Sequence, residues 1–397
     1  MTTERMPPPR PGTRPRNRRD LVVGAAAELF TERGYARVSM GDVARAVNVQ
    51  PSALYRYFAS KQDLLIEVVA RGTRLRLAAI REGAAEGLDV VLANLADSAL
   101  ASRSSTRLWS VEARNADPAV QAELREEVRA LPDELGLVIG RVRRDLSAAH
   151  AHLLAWATLD VVASISFHDE RLPGRDLRAE LVGMMERVAA VDLGGAALDD
   201  PDPRATPGVH PARRERVIAA AASMFAARGF AAVRLEDIAA AAGMSAAGLY
   251  TYVESKAHLL EVVVVRAANA LAHAHAVAAG APAGRGIDAH LDAYLAMAWS
   301  APELLTVLLV DVRELEGGVA AAVRQVTEDV ETAFTATLRE ALPQLDAPTA
   351  RIRARAAQMV ALDVLATPRL RRTAGARSLV RAAMAAVLGL GEDSARR

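Results

Sequence analysis

The only two lysines of this 397-residue chain stand at the same place in two similar stretches of sequence. Lys61 lies in LYRYFASKQDLL, and Lys256 lies 195 residues later in LYTYVESKAHLL. A serine before each lysine can cap a helix, which puts the lysine at the first helical position. The helix dipole disfavours a cation there by about 0.3–1 kcal/mol. We therefore expect each ammonium group, with the free backbone N–H groups beside it, to share an anion such as a phosphate.

Other kinds of chemistry find little support. The pairs His150/His152 and His273/His275 could bind a metal, but side chains two residues apart on a helix diverge, so we predict no metal site. The sequence has no cysteine, no glycine-rich phosphate loop and no nucleophile elbow. We expect no cofactor and no enzymatic activity.

The chain is a tandem duplication. Residues 18–65 align without a gap with residues 213–260, and a fainter match continues towards the end of each half. Only 4% of residues are aromatic and β-branched alternation is scarce, which favours an all-α protein. The predicted order is a disordered Pro/Arg-rich arm (1–17), a first head (18–72), a first helical regulatory or dimerisation-like domain (73–193), a linker (194–211), a second head (212–267) and a second helical domain (268–391).

The sequence of each head predicts a helix, a tight turn and a further helix. A first helix ends at Gly34 or Gly229, and a second begins near Ser39 in the first head. Asn48 and Gly243, which tolerate positive φ, then force a turn before a third helix. This is the helix-turn-helix arrangement, in which the last helix enters a DNA major groove.

Both heads resemble the DNA-binding domain of the tetracycline-repressor (TetR) family of bacterial transcription regulators. The resemblance is carried by F-x-x-x-G-[YF] from Phe30 and Phe225, by D-[VI]-A from Asp42 and Asp237, and by L-Y-x-Y-[FV]-x-S-K-x-x-L-L from Leu54 and Leu249. It implies an all-α regulator, expected to be a repressor, that binds a double-stranded DNA operator and releases it when a small molecule enters the helical core.

Carried over position by position, the resemblance implies two kinds of DNA contact. Base edges would be read by Gln50, Ser52, Ala53 and Arg56 in the first head, and by Ser245, Ala246, Ala247 and Thr251 in the second. Phosphates would be held by Arg18, Arg19, Ser39, Tyr55, Tyr57 and Lys61, and by Arg213, Arg214, Tyr250, Tyr252 and Lys256. Phosphate contacts set register and affinity, whereas base contacts set sequence preference.

The second recognition helix lacks the long side chains that read bases in pairs of hydrogen bonds. Two functions therefore stay open. Either two unlike heads read an asymmetric operator, or the second head has lost DNA binding and the chain serves in part as a ligand-binding or protein-interaction protein.

The duplication predicts an intramolecular pseudo-dimer, in which the last two helices of each half form a four-helix bundle. A homodimer, with each half paired to a second chain, is the alternative. The predicted pocket aromatics are Trp109, Trp156, Phe167 and Trp299, and the ligand is unknown. Asp160 and Asp363 are repeat equivalents that could line a pocket, lie between the halves or face solvent. No apolar run reaches the ~20 residues of a membrane span, and no secretory signal is visible, so we expect a cytoplasmic location.

Overall fold

The computed structural model describes residues 18–35, 37–103, 108, 118–168, 170, 172–192, 212–282 and 284–391. Three expectations lie outside these residues: the disordered arm at 1–17, the linker at 194–211 and the pocket role of Trp109. The described residues form helices and connecting turns without a strand, as the composition predicts. The exact domain boundaries stay predictions.

The described part of the first half contains two groups of helices. The head consists of α1 (Arg18–Arg33), α2 (Met40–Ala46), α3 (Pro51–Leu54) and the start of α4 (Lys61–Gly83). The helices that follow are α5 (Leu88–Ala101), α6 (Pro118–Val142), α7 (Ala148–Ser164) and α8 (Gly174–Ala189). A short 3-10 turn, Ile165–Phe167, extends α7.

The second half repeats this order. Its head consists of α9 (Arg213–Arg228), α10 (Leu235–Ala241), α11 (Ala246–Leu249) and the start of α12 (Lys256–Ala279). The helices that follow are α13 (Gly286–Ser300), α14 (Pro302–Val310), α15 (Gly317–Ala341), α16 (Ala347–Ala366), α17 (Pro368–Arg371) and α18 (Ala376–Leu388). A 3-10 turn, Asp311–Glu314, follows α14.

Serine caps fix the start of the long helix in each half. The backbone N–H of Asp63 donates to Ser60 Oγ at 3.0 Å, and the backbone N–H of Ser60 donates back to Asp63 at 3.0 Å. Ser255 Oγ accepts from the backbone N–H of His258 at 3.0 Å. Because these caps close the first turn, each lysine stands at the first helical position, as predicted.

The two halves meet in the predicted four-helix bundle. α7 packs against α16, α8 packs against α18, and the two helices of each half also pack on each other. One continuous hydrophobic cluster contains Leu154 and Val161 of α7, Val360 of α16 and Leu379 of α18. All four are fully buried, and each such side chain contributes about 1.5–3 kcal/mol. A single chain therefore builds the pseudo-dimer.

Arginines of α16 add polar contacts between the halves. Arg353 donates to both carboxylate oxygens of Glu180, at 2.5 and 3.2 Å, and to the carbonyl of Leu388 at 3.1 Å. Arg351 donates to both oxygens of Glu170, at 2.5 and 2.9 Å. The Arg353 and Glu180 side chains are only 13% and 15% exposed, so this paired interaction is shielded from water.

Two helices are long and apolar enough to cross a membrane, by length and composition: Ala148–Phe167 and Lys256–Ala279. A bent pair, Gly286–Ser300 with Pro302–Glu314, would make a third if counted as one span. The expectation that no segment meets this criterion was therefore wrong. In the fold, 72% of the first window and 39% of the second are buried against other helices, and a buried core helix shares the composition of a span.

Candidate nucleic-acid interface and ligand cavities

Left-handed residues make the turns in both heads, as the sequence predicts. Gly34 and Gly229 end the first helix with φ of 80° and 76°. Asn48 and Gly243 connect the second and third helices with φ of 53° and 72°. Asparagine and glycine are the residues that adopt this conformation at least cost, so the turn geometry follows directly from the local sequence.

Ser39, one of the predicted phosphate-contacting residues, caps α2. Ser39 Oγ accepts from the backbone N–H of Asp42 at 3.1 Å and donates to Asp42 Oδ2 at 2.5 Å. These hydrogen bonds hold the pKa of Asp42 below its usual range, with the Ser39 side chain as the largest cause. The Ser39 hydroxyl thus already serves as a helix cap, and its contact with phosphate stays a prediction.

Helix α3 presents polar side chains on its outer face. The base-contacting candidates of this head are Gln50, Ser52 and Arg56, which are exposed, and Ala53, which is half-buried. Leu54 is 1% exposed and fixes the helix to the head core. An exposed amide and an exposed guanidinium are the groups that can donate to base edges in a major groove.

The tyrosines beside the recognition helices differ between the heads. In the first head, Tyr55 and Tyr57 are both large exposed aromatic residues, 55% and 43% exposed. In the second head, Tyr250 is 56% exposed, but Tyr252 is half-buried against the hydrophobic cluster. Three of the four predicted tyrosine contacts are therefore accessible, and Tyr252 is partly a packing residue.

Helix α11 presents little besides methyl groups. Ser245 Oγ accepts from the backbone N–H of Gly248 at 3.1 Å, and the Thr251 hydroxyl donates to the Gly248 carbonyl at 2.7 Å. Ala247 is exposed and Ala246 is half-buried. Both hydroxyl groups are engaged within the helix, so the outer surface of α11 offers bases less hydrogen bonding than that of α3 does.

Both lysines bind main-chain carbonyl groups. Lys256 Nζ lies 2.9 Å from the Phe230 oxygen, 3.3 Å from the Ala231 oxygen and 3.0 Å from the Val233 oxygen. It also lies 4.4 Å from the centre of the Phe230 ring. Burial lowers the pKa of Lys256, and the nearby Glu314 carboxylate opposes this shift. The ammonium group therefore ties the loop between α9 and α10 to the start of α12.

The first head has the same arrangement, which we call the carbonyl clip. Lys61 Nζ lies 2.9 Å from the Tyr35 oxygen, 3.0 Å from the Val38 oxygen and 4.2 Å from the Tyr35 ring centre. The premise that a cation at this position needs a shared anion was wrong, because carbonyl oxygens satisfy it. Contact of Lys61 and Lys256 with phosphate stays a prediction.

The predicted arginine contacts are not equally available. Arg19 donates to both oxygens of Glu67, at 2.9 and 2.8 Å, and this hydrogen bonding raises the pKa of Arg19. Arg18 is half-buried, whereas Arg213 and Arg214 are exposed at the start of α9. The ion pair holds Arg19 against the head, and the two arginines of the second head extend into solvent.

Two adjoining cavities of about 270 Å³ each open in the second half. The bundle cavity lies among α12 to α16 and contains Arg355, which donates to both oxygens of Glu331 at 2.8 and 2.6 Å. The head cavity lies between α9, α14 and α16. Phe167, from the first half, borders both cavities. The fold thus offers a partly open site with a mostly apolar lining beside the second head.

Of the predicted pocket aromatics, Phe167 borders these cavities, whereas Trp156 and Trp299 do not. Trp156 packs half-buried against the core and donates to His152 Nε2 at 3.1 Å. Trp299 is 5% exposed and lies under the guanidinium of Arg371, 4.8 Å from the ring centre. Both tryptophans are core residues in this fold.

Asp160 and Asp363 meet between the halves, as one of the three alternatives predicts. Asp160 is 3% exposed, and its pKa is raised well above the usual range by burial, then by the charge of Asp363 and a hydrogen bond with it. The negative charge of Asp363 thus favours the protonated form of Asp160. Because the residues are repeat equivalents, their contact marks the pseudo-two-fold axis. Asp363 also borders the head cavity.

A contact between α14 and the second head was not visible in the sequence. Asp311 ends α14, is 5% exposed and accepts from the backbone N–H of Phe230 at 3.4 Å. The Phe230 carbonyl is in turn held by Lys256. The wall of the cavities is thereby connected to the carbonyl clip of the second head. Phe230 and Asp311 are 81 residues apart in the chain, so no local sequence pattern predicts this hydrogen bond.

Comparison with known proteins agrees with the geometry of the heads. The family described as bacterial regulatory proteins, tetR family, matches residues 22–68 and residues 217–263. The HTH-type transcriptional regulator TcmR of Streptomyces glaucescens is 34% identical over 79 residues, which are 19% of this chain and 35% of that protein. The HTH-type transcriptional regulator UidR of Escherichia coli K12 is 31% identical over 64 residues, 16% of this chain and 33% of that protein.

These matches span about a third of each relative's length. Among solved structures, a TetR-family transcriptional regulator from Bordetella parapertussis aligns with 45% of this chain and 96% of its own, at a TM-score of 0.41 and 17% identity. The helix-turn-helix geometry and the sequence matches fall on the same two segments. The chain therefore carries the DNA-binding domain of the tetR family of bacterial regulatory proteins twice in tandem.

Proposed function

We propose that this protein is a ligand-responsive DNA-binding repressor whose two unlike heads read an asymmetric operator. Its partners are double-stranded DNA and a small molecule, and it acts in the cytoplasm. The observation that carries the proposal is the contrast between the two recognition helices. Gln50 and Arg56 are exposed at the two ends of α3, whereas α11 exposes Ala247 and is flanked by Ser245 and Thr251, whose hydroxyl groups make local hydrogen bonds.

The pseudo-dimer supports two half-sites in one operator. The four-helix bundle joins the halves as a dimer interface would, so one chain carries two heads about a pseudo-two-fold axis. A symmetric dimer reads a palindrome because its heads are identical. Here the first half-site is specified by hydrogen bonds to bases, and the second by phosphate contacts and groove shape. A monomer is sufficient, and a native mass of two chains would contradict this assembly.

The head cavity supports a response to a ligand. Its walls include Ala226 and Ala227 of α9, the first helix of the second head, and Thr306 of α14. A molecule that fills this space acts on the packing of α9 against α14 and so shifts the position of the second head. A ligand that binds better to the DNA-free arrangement releases the operator, which is repression relieved by ligand.

Selection of bound sequences from random DNA tests the two heads separately. Gln50→Ala and Arg56→Ala are expected to relax base preference in one half-site, because a good bidentate contact contributes about 1–3 kcal/mol of discrimination. Thr251→Ala is expected to leave the selected sequences unchanged. Arg144→Ala, an exposed arginine outside the heads, is the control. Two identical inverted half-sites would contradict an asymmetric operator.

A second candidate is a ligand-binding or interaction protein whose second head no longer binds DNA. The engaged hydroxyls of Ser245 and Thr251 favour it. Salt dependence separates the two functions, because each phosphate contact contributes about 0.9 to the slope of log affinity against log salt. Replacing Arg213 and Arg214 by alanine lowers this slope if the second head is on DNA and leaves it unchanged otherwise.

A further inference from the structure

We propose that the head cavity binds a lipophilic organic cation, an amine or quaternary ammonium group attached to an apolar body. This inference rests on the proposed function, because it assigns the ligand class of the same regulator. It is drawn from the charges that border the cavity, from the apolar wall around them and from the carboxyl pair beside them.

The charged side chains that border the head cavity are all acidic. Glu303 of α14 and Asp363 of α16 are both half-buried there, and no lysine, arginine or histidine is among the described residues that line it. The rest of the wall is mostly apolar and includes Phe167, Leu309 and Met359. An anionic ligand would meet two like charges in this space, whereas a cation compensates them as it displaces water.

The neighbouring carboxyl pair strengthens the preference for a cation. Asp160 lies beside Asp363 and is 3% exposed, and its Oδ2 has no hydrogen-bond partner among the described residues. Burial and the charge of Asp363 raise the pKa of Asp160, which favours a protonated Asp160 beside a charged Asp363. A cationic group next to Asp363 stabilises that charge in a place that water reaches poorly.

The charged side chains that line the bundle cavity include arginines, so this cavity is the alternative site for a ligand of negative charge. Its guanidinium at Arg355 is held by Glu331 and by the Phe167 carbonyl at 3.2 Å, so that charge is compensated within the protein. Arg324, which is exposed, adds a positive charge at the border. An anionic ligand would use this cavity, so the charge of the preferred ligand identifies the cavity that is used.

Three probes with one apolar body and different charges test the proposal: decyltrimethylammonium, decanol and decanoate. Binding to the full chain is measured by titration calorimetry without DNA. We expect decyltrimethylammonium to bind at least about tenfold more tightly than either of the others. Equal affinity for cation and alcohol, or tighter binding of decanoate, would overturn the proposal.

Conservative variants locate the site. Glu303→Gln and Asp363→Asn keep the side-chain shape and are each expected to weaken binding of the cation several-fold while leaving binding of decanol unchanged. Glu340→Gln, an exposed acid at the far end of α15, is the matched control. Circular dichroism melting checks each fold, and Glu303→Gln alone decides if Asp363→Asn does not fold. A cation preference that survives both substitutions would refute the assignment.

The outcome is independent of DNA binding. If the cation preference is observed and the protein binds no operator, the proposed regulatory function fails and the ligand class stands. If the operator is bound and decanoate is preferred, the ligand class fails and the regulatory function stands.

Discussion

Replacing Lys256 by methionine tests whether the two lysines stabilise the heads through the carbonyl clip. Methionine keeps the length and apolar character of the stem but has no donor for the oxygens of Phe230, Ala231 and Val233, at 2.9, 3.3 and 3.0 Å. The cation also leaves the Phe230 ring, whose centre is 4.4 Å from Nζ. The loop between α9 and α10 then has no polar connection to the start of α12 through this side chain.

The expected loss is about 2 kcal/mol of unfolding free energy. A hydrogen bond to a charged group contributes roughly 1.5–3 kcal/mol when it is shielded. Three such bonds do not add to their full sum here, because the lysine is half-buried and water can replace it at the carbonyl groups. The cation over the ring adds roughly 0.5–1 kcal/mol. Urea denaturation followed by circular dichroism measures the change.

Lys61→Met is expected to cost about 2 kcal/mol as well, because the Lys61 ammonium group also binds main-chain carbonyl groups, at 2.9 and 3.0 Å. Arginine should restore less than half of the loss in either head, since a planar guanidinium cannot place three donors around one point. Arg228→Met, an exposed residue near the same turn, is expected to change stability by under about 0.5 kcal/mol.

DNA affinity then separates the clip from a phosphate contact. If Lys61 or Lys256 acts through the clip, methionine lowers affinity but leaves the salt slope unchanged. If the ammonium holds a phosphate, the slope falls by about 0.9 per contact. Unchanged stability together with a reduced slope would refute the clip and support the original interpretation.

Three further predictions concern the core. Burial and Asp363 raise the folded-state pKa of Asp160, so the stability that this group contributes is complete below the unfolded value of about 3.9 and is lost as pH rises from there through the folded pKa. Asp160→Asn should therefore flatten the loss of urea resistance between these two pKa values, and a variant with the wild-type profile would exclude the pair as its cause. Burial lowers the pKa of His275, which stacks on His290, to about 4. The stability that the neutral His275 contributes is therefore present above its unfolded pKa of about 6.5, and the free energy of unfolding should fall by about 2 kcal/mol between pH 7 and pH 5. His275→Phe should remove most of this pH dependence in the same urea titration. Arg353→Ala should cost about 3 kcal/mol, because it leaves Glu180 partly buried without its bidentate partner, and a thermal melt unchanged from that of the wild type would contradict this.

Local features of the heads could be predicted because their causes lie within a few residues. The serine caps, the positive φ of Asn48 and the stop at Gly34 each depend on one side chain and its immediate neighbours. The pseudo-dimer was predictable for a different reason: when one chain contains two copies of a dimerising unit, each copy can pack against the other as its dimer partner. Comparison of the two halves of the sequence therefore predicted that they pack together, but it did not predict which residues are in contact.

The partners of buried polar groups could not be predicted in the same way. The acceptors of Lys61 lie 23 and 26 residues away, and Asp160 meets a residue 203 positions later. Composition drew attention to the lysines correctly but could not distinguish a carbonyl group from a phosphate, since both accept from an ammonium group. The tryptophans were assigned to the pocket by size alone, and size predicts burial in a core equally well.

Because the two halves are covalently joined in one chain, a substitution can occur in one half alone, which is impossible in a homodimer. In a homodimer every substitution appears twice, so an acidic cavity beside one head implies the same cavity beside the other. Here Phe167 of the first half borders cavities of the second, and Glu303 is free to differ from its repeat counterpart. Asp363 and its counterpart Asp160 are both aspartates, and the two carboxyl groups interact at the axis, whereas α3 and α11 lie away from it and have diverged. Contact at the pseudo-two-fold axis thus accounts for the retained carboxyl pair, whereas the lysine clip is retained in both heads for a local reason, since it holds the loop between the first two helices of each head.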